Sequence, residues 1–293
     1  MKIPDILITY GPANDEINRI CGHTFEAFDL YLFLKDYLPN KNIKILIMDK
    51  LKTSLLKEAF EDKYYLNFDD IKNDIIIDRN NKLKYAKIII YTSGIASYYY
   101  KLFRSNYSIS FRCNPKTEFI YNDNIFYFFD TRIYKNFNLK FPKNTIHSVK
   151  KFYFKYYKKI TKTEDKKLIY LNSSLRNIDI EYYKKKYNNI LFVSGNKYNH
   201  QEVLEAPVQN LFKKFNTYIY TPTKRQFDCS PRLLTESYFY DKKIIFDFDF
   251  KKYAGPDYGD TGLYWRWYDI QNNFDKLIYD ENDELLQFLK GLL

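Results

Sequence analysis

The amino-acid sequence predicts an α/β protein built from two successive open parallel sheets. Three observations carry this: short apolar runs ending at turn residues alternate with stretches of three-to-four apolar spacing, the alternation occurs twice, and a Lys- and Tyr-rich stretch separates the two series.

The first series opens with Ile6 to Tyr10, closed by Gly11-Pro12, and continues with Ile43 to Met48. Between them, His23 to Tyr37 places Phe25, Phe28 and Leu32 at helical spacing. This is a βαβ pattern, since parallel neighbours need a crossover of about a dozen residues or more. Runs at Ile75 to Ile77, Lys87 to Tyr91 and Ile125 to Phe129 complete five strands. From Thr145 to Lys167 the composition turns to Lys and Tyr with few aliphatics, as in Lys150-Lys151-Phe152-Tyr153-Phe154-Lys155-Tyr156-Tyr157-Lys158-Lys159, which reads as a basic helix or linker. The second series runs Leu168 to Leu171, a helix from Ile180 to Tyr187, Ile190 to Val193, a helix up to Phe215, Tyr218 to Tyr220, a helix from Pro231, and Ile244 to Phe246. The expectation is two Rossmann-like domains, residues 1–150 and 151–293, facing a cleft.

At 293 residues the chain is long enough to bury a substantial core. Its 47 Lys and Arg against 36 Asp and Glu give a net charge of +11, which favours polyanionic partners. The 31 Tyr and 25 Phe accompany many Lys, Asn and Ile, a set that an AT-rich genome also favours, so part of the charge reads as solvated surface. Cys21, Cys113 and Cys229 are odd in number and widely spaced, which argues against a disulfide framework or a zinc ribbon. His23, His147 and His200 have no partner at ligand spacing, so no histidine metal site is expected. The start lacks a signal peptide's apolar stretch, and no run approaches the roughly 18 apolar residues of a membrane span. The expectation is a cytoplasmic protein without a membrane span, a monomer as the favoured state.

Neither Gly-x-Gly-x-x-Gly nor Gly-x-x-x-x-Gly-Lys-Ser/Thr occurs, so a phosphate must be held in another way. In Phe227-Asp228-Cys229-Ser230-Pro231-Arg232-Leu233-Leu234-Thr235-Glu236, Ser230 suits an N-cap and Pro231 the first helical position, which would aim free N–H groups at an anion. Arg232 and Glu236 share one helix face, placed to neutralise a diphosphate and to accept from ribose hydroxyls; the plain alternative is a surface ion pair. Asn172-Ser173-Ser174-Leu175-Arg176 is a second polar turn, directly after a strand, where open α/β proteins bind ligands. Asp130 ends the run Phe126-Tyr127-Phe128-Phe129, and partial desolvation at a cleft would make it more basic, as a general base requires. Gly11, Ser93, Gly94 and Arg132 belong to the same edge as cleft or acceptor residues. Asp15, Glu16, His23 and Glu26 follow the first strand and are the next candidates for the base.

In order, these features resemble a GT-B glycosyltransferase, with an acceptor domain followed by a nucleotide-sugar domain. More narrowly they resemble the bacteriophage β-glucosyltransferase family that modifies hydroxymethylcytosine in DNA. Phe128-Phe129-Asp130-Thr131-Arg132 is similar to that family's strand-end Asp-x-Arg, Asn172 to Arg176 to its glycine-rich turn and diphosphate-binding Arg, and Arg232 to Glu236 to its Arg and ribose-binding Glu. Asn172-Ser173 replaces the family's Gly-Gly, and its Arg-to-Glu spacing is one residue shorter. The resemblance implies Asp130 as catalytic base, donor contacts from Asn172, Ser173, Ser174, Arg176, Ser230, Pro231, Arg232 and Glu236, a UDP-sugar as favoured donor, no required cofactor, a DNA acceptor, and host cytoplasm if phage-encoded.

Asp247-Phe248-Asp249 matches the Asp-x-Asp with which GT-A enzymes hold a divalent ion, but its position late in the chain favours a strand-end acidic turn, and no metal is predicted. Pro256 to Trp267 holds both tryptophans and offers Asp260 and Arg266 for closure on a sugar, against core packing as the alternative. The leading function is thus inverting transfer of a sugar from a nucleotide diphosphate sugar to a hydroxyl, in a hydroxymethylated pyrimidine of DNA or in a surface or lipid-linked glycan. A non-enzymatic nucleic-acid binder using Lys150 to Lys159 is the competing class.

Overall fold

The computed structural model describes residues 2–10, 20, 22–47, 52–77, 85–92, 103–111, 119–137, 139–171, 179–194, 200–205, 211–221 and 231–293. Seven strands form one parallel sheet: β1 (Ile6–Tyr10), β2 (Ile43–Ile47), β3 (Ile75–Ile77), β4 (Tyr85–Tyr91), β5 (Arg104–Phe111), β6 (Ile125–Phe129) and β7 (Thr145–His147), in the order β3-β2-β1-β4-β5-β6-β7. A second parallel sheet holds β8 (Lys167–Leu171), β9 (Ile190–Ser194), β10 (Val203–Glu205), β11 (Thr217–Tyr220) and β12 (Lys243–Phe246), in the order β10-β9-β8-β11-β12. Each order proceeds outward from one strand and then reverses, at β1/β4 and at β8/β11. Both sheets are therefore doubly wound, with a topological switch point where ligands characteristically bind.

Strands of a parallel sheet are covered on both faces, which is why β2 reads Ile-Lys-Ile-Leu-Ile and all four residues of β11 are buried. Helix α1 (Gly22–Tyr37) is likewise apolar around most of its circumference, with Phe25, Phe28, Leu30, Phe33 and Leu34 at 0–1% exposure, so it lies inside the first core. Helix α2 (Thr53–Lys63) packs beside it through Leu56, Ala59 and Phe60. The second sheet carries α3 (Ile180–Lys186), α4 (Arg232–Phe239), the short α5 (Phe250–Tyr253) and α6 (Thr261–Asn272). The last helix, α7 (Glu284–Leu292), returns to the first sheet. Its Leu285, Leu286 and Leu289 join the first core, and Phe288 packs on Phe126 and Phe128 at 4.6 and 5.6 Å between centroids. Residues 277–279 add to this return, since Phe152 donates to the carbonyl of Leu277 and accepts from Tyr279.

Several expectations need correction. The first sheet has seven strands rather than five: β5 was hidden by its polar Ser105, Asn106, Ser108 and Ser110, and β7 by its three-residue length. Lys150 to Lys159 forms no α-helix but an extended path with one 3-10 turn at Phe154–Tyr156. Phe152, Tyr153, Phe154 and Tyr157 are buried there, and rings rather than lysines dictate its course. No helix occurs among the described residues between β9 and Phe215; β10 lies there instead. Finally, α4 begins at Arg232 with Pro231 at the cap position and no side-chain cap, while Ser230 lies outside the described residues.

Candidate functional site

The carboxyl edge of the first sheet carries a pocket of about 50 Å³ lined by Glu26, Thr92, Asp130, Lys150, Lys151, Arg266 and Asp269 among others. Its position follows from the winding: α1 begins after β1, Thr92 directly follows β4, Asp130 directly follows β6, and Lys150 follows β7. Helix α6, from beyond the second sheet, closes it with Arg266 and Asp269. This brings acids and bases from three sheet connections and one distant helix to one place.

Asp130, 9% exposed, accepts from the Nε and Nη2 of Arg132 at 2.8 and 2.7 Å and from the Arg132 backbone N–H at 3.1 Å. The same guanidinium donates to Asp269 through Nη1 at 3.2 Å and Nη2 at 2.5 Å, and lies 4.5 Å from the Trp265 ring centre. Burial works against the Arg132 charge, but hydrogen bonds to Asp130 and Asp269 outweigh it and raise its pKa. His147 stands nearby with Nδ1 2.9 Å from the Thr131 hydroxyl and 3.9 Å from Asp130.

Glu26 binds the ammonium of Lys150 through Oε1 and His23 Nδ1 through Oε2, the latter at 3.0 Å. Burial alone would raise its carboxyl; Lys150 and His23 more than offset this and hold it at about 2. Lys151 bridges Asp283 and Glu284 at 2.7 and 2.6 Å, at the start of α7, while Arg266 donates to the Lys150 carbonyl at 3.0 Å.

Arg232 and Glu236 sit elsewhere, in a buried ionic junction. Arg232 donates through Nη2 to Asp29 of α1 and to the Tyr157 hydroxyl, both at 2.6 Å, and its Nε lies 2.8 Å from Glu236. Lys63 of α2 donates to the same Glu236 oxygen, and Tyr64 donates to Asp29 at 2.7 Å. Glu236 is 1% exposed and Arg232 7%. Burial raises the Glu236 pKa, but Arg232 and Lys63 lower it further; for Lys63, burial dominates and pushes it down to about 8. Two carboxyls and two cations thus face one another in the interior, joining α1 and α2 to α4, and burial raises the Asp29 pKa against the pull of Arg232 and Lys63. The expected pair of open donor contacts is, in this structure, an internal junction, because each charge already faces a buried partner.

Asn172, Ser173, Ser174, Arg176, Ser230, Gly11, Ser93 and Gly94 lie outside the described residues, as do Asp15 and Glu16. Residues 172–178 and 222–230 follow β8 and β11, the two strands that flank the second switch point. Asp247 accepts from Lys186 and Tyr187 at 2.5 and 2.8 Å, and Asp249 caps α5 through the Lys252 N–H, so the acidic pair is a strand-end turn. Asp260 caps α6 through the Leu263 N–H, and Trp267 packs on Phe246. Four of the lysines expected to face DNA have internal partners: Lys150 with Glu26, Lys151 with Asp283 and Glu284, Lys155 with Asp36, and Lys158 with the Glu61 carbonyl. Sequence reading missed Asp269, Asp29 and Lys63, whose oppositely charged partners Arg132, Arg232 and Glu236 lie more than a hundred residues away.

Among the described residues, no group of three or more His, Cys, Asp or Glu side chains could hold a metal ion, and no helix is long and apolar enough to cross a membrane. No family model matches the chain, and no curated protein matches its sequence. Among solved structures, the wall teichoic acid polymerase TagF is similar at 8% identity and a TM-score of 0.42, over 99% of this chain and 83% of TagF.

Proposed function

We propose that the protein transfers a sugar from a nucleotide diphosphate sugar to a hydroxyl acceptor by direct, inverting displacement. The observation that carries the reading is the pair of doubly wound sheets in one chain, each with its own switch point. Two such edges divide the work of a two-substrate transfer. The polar pocket at the first edge suits the hydroxyl acceptor, whose proton must be accepted as the oxygen attacks.

The donor is assigned to the second switch point, where Asn172, Ser173, Ser174 and Arg176 follow β8, and Ser230 with Pro231 precedes α4. Arg176 would neutralise the departing diphosphate, and free N–H groups at the start of α4 would add to that. A UDP-sugar is the favoured donor, and no metal or redox cofactor is assigned. The +11 charge favours a hydroxymethylated base in DNA as acceptor, which would have to leave the stack to reach the pocket.

UDP itself tests the donor assignment. A ligand that binds only the folded chain at a hundred times its dissociation constant stabilises by about 2.7 kcal/mol, so UDP should raise the melting temperature. Arg176→Ala should abolish most of that rise. Equal melting curves with and without millimolar UDP would contradict the assignment.

A further inference from the structure

We propose that the outer face of α6, with the turn that precedes it, is a binding site for a neutral carbohydrate, a pyranose unit of a glycan. The inference stands apart from the transfer reading, because a surface that holds a glycan need not be the place where a sugar is transferred. The site is an open pocket of about 490 Å³ lined by α5, the following turn and α6. That volume lies within the ordinary range for small ligands.

The residues of Pro256 to Trp267 expected to meet a sugar, Asp260 and Arg266, turn inward and are 3% and 5% exposed. The aromatic residues of the stretch do the opposite. Along α6, Leu263, Arg266 and Ile270 are buried, while Tyr264, Trp267, Tyr268 and Gln271 recur at helical spacing on the pocket side. Tyr268 is 41% exposed, and the Tyr264 ring lies 6.4 Å from it at an angle of only 24°. Both ends of this stripe are braced from behind: Trp267 meets Phe246 edge-on at 5.0 Å, and Tyr268 meets Trp265 edge-on at 5.6 Å.

The turn adds Tyr258, which is 53% exposed and yet fixed in place. Its hydroxyl donates to the Lys251 carbonyl, and its ring lies against Gly255, where an added Cβ would overlap three ring atoms. Gly255 does not have a left-handed backbone, so the ring, not the chain path, accounts for the glycine there. Gly259, at φ +63°, turns the chain back so that Ala254 and Gly259 pair. Single exposed rings need no explanation, but four braced rings gathered on one pocket mark a binding surface.

The chemistry of the lining selects the ligand. A pyranose presents a face of C–H groups rimmed by hydroxyls; the negative face of an aromatic ring suits the former. The Gln271 amide and the tyrosine hydroxyls both donate and accept, which suits the latter. Of the described residues that line the pocket, only Lys251 is charged, on a chain of net charge +11, so the ligand is neutral. A nucleobase also stacks on such rings, but it arrives on a phosphate chain, for which single-strand sites supply a positively charged groove. One lysine does not make that groove.

The test titrates the full chain with neutral oligosaccharides of glucose, galactose, mannose and N-acetylglucosamine, and with a thymidine oligonucleotide, by saturation-transfer NMR and tryptophan fluorescence. At least one oligosaccharide should bind, with transfer strongest to the C–H protons of its rings. Tyr258→Ala and Tyr268→Ala, both exposed and checked for folding by circular dichroism, should each weaken binding by about two- to twelvefold, the span of one aromatic contact. Gly255→Ala should weaken it as well, by displacing the Tyr258 ring. No binding of any of the four at millimolar concentration would overturn the inference, as would binding that all three variants leave unchanged. Binding of the oligonucleotide alone, lost in the same variants, would overturn it in favour of a single-strand site. A concentration-dependent dimer in sedimentation that Tyr268→Ala disrupts would overturn it in favour of a second copy on this face. None of these results bears on sugar transfer, which the acceptor assay measures separately.

Discussion

Arg132, three residues beyond the end of β6, and Asp269, on α6, are 137 residues apart in sequence and joined by hydrogen bonds of 2.5 and 3.2 Å. The same guanidinium holds Asp130, so one side chain fastens α6 to the carboxyl edge of the first sheet. A lysine offers one point charge where Arg132 offers a planar fork, so it can replace neither geometry. Arg132→Lys should destabilise the protein by roughly 1.5–3 kcal/mol, the range for hydrogen bonds to charged groups. Urea unfolding checks this, and an unchanged midpoint would show that the fork contributes nothing.

The junction of Asp29, Lys63, Arg232 and Glu236 predicts a larger effect. Removing one charge from a buried set leaves the others uncompensated at a cost of about 3–5 kcal/mol. Glu236→Gln should therefore lower the unfolding free energy by that order, because both Lys63 and Arg232 lose the negative charge they share. A loss below about 1 kcal/mol would mean that water reaches the junction.

Glu26 predicts a pH dependence. Its carboxyl is held at about 2 in the folded chain, against an ordinary 4.5. The folded value lies below the unfolded one, so the stabilisation is complete above about pH 4.5 and is lost as pH falls toward 2. At about 1.4 kcal/mol for each pKa unit, this group contributes on the order of 3 kcal/mol. Glu26→Gln should be less stable than wild type at pH 6, and the two should converge near pH 2. Parallel stability curves throughout would contradict the assignment of the low value to this residue.

The return of α7 to the first sheet predicts that the chain's last residues are integral to the first core. Leu286 is fully buried there, and Leu286→Ala should cost about 2–5 kcal/mol. Chemical denaturation with a fluorescence readout measures it. An effect under 1 kcal/mol would indicate that α7 detaches at little cost.

The sheet cores were legible because parallel strands buried on both faces read as apolar runs: β1, β2, β3 and β6 stand within a residue of their expected bounds. Polar β5 escaped because Ser108 and Ser110 are buried by neighbouring strands, a tertiary effect with no local signal. The Lys150 to Lys159 stretch misled for a related reason. Its charges suggest a solvated face, yet Phe152 and Tyr157 bury in the core and draw the lysines onto Glu26, Asp283 and Asp36. Helical spacing paired Arg232 with Glu236 correctly, but the burial of both depends on Asp29 and Lys63, some two hundred residues earlier. The pocket was half legible: Asp130 and Glu26 follow strands of the expected sheet, whereas Asp269 comes from a helix whose packing on the first sheet has no local signature.

Intact-mass analysis of acceptors after incubation with UDP-sugars tests the transfer reading most directly. Hydroxymethylated duplex DNA, unmodified DNA and a hydroxyl-rich glycan are each offered with the same donor. The reading predicts that one hydroxyl-bearing acceptor gains the mass of a sugar residue while UDP is released in equal amount, with hydroxymethylated DNA as the acceptor favoured by the protein's charge. Gain on the glycan alone would reassign the acceptor. No mass gain on any acceptor, across a full panel of nucleotide sugars, would contradict sugar transfer itself.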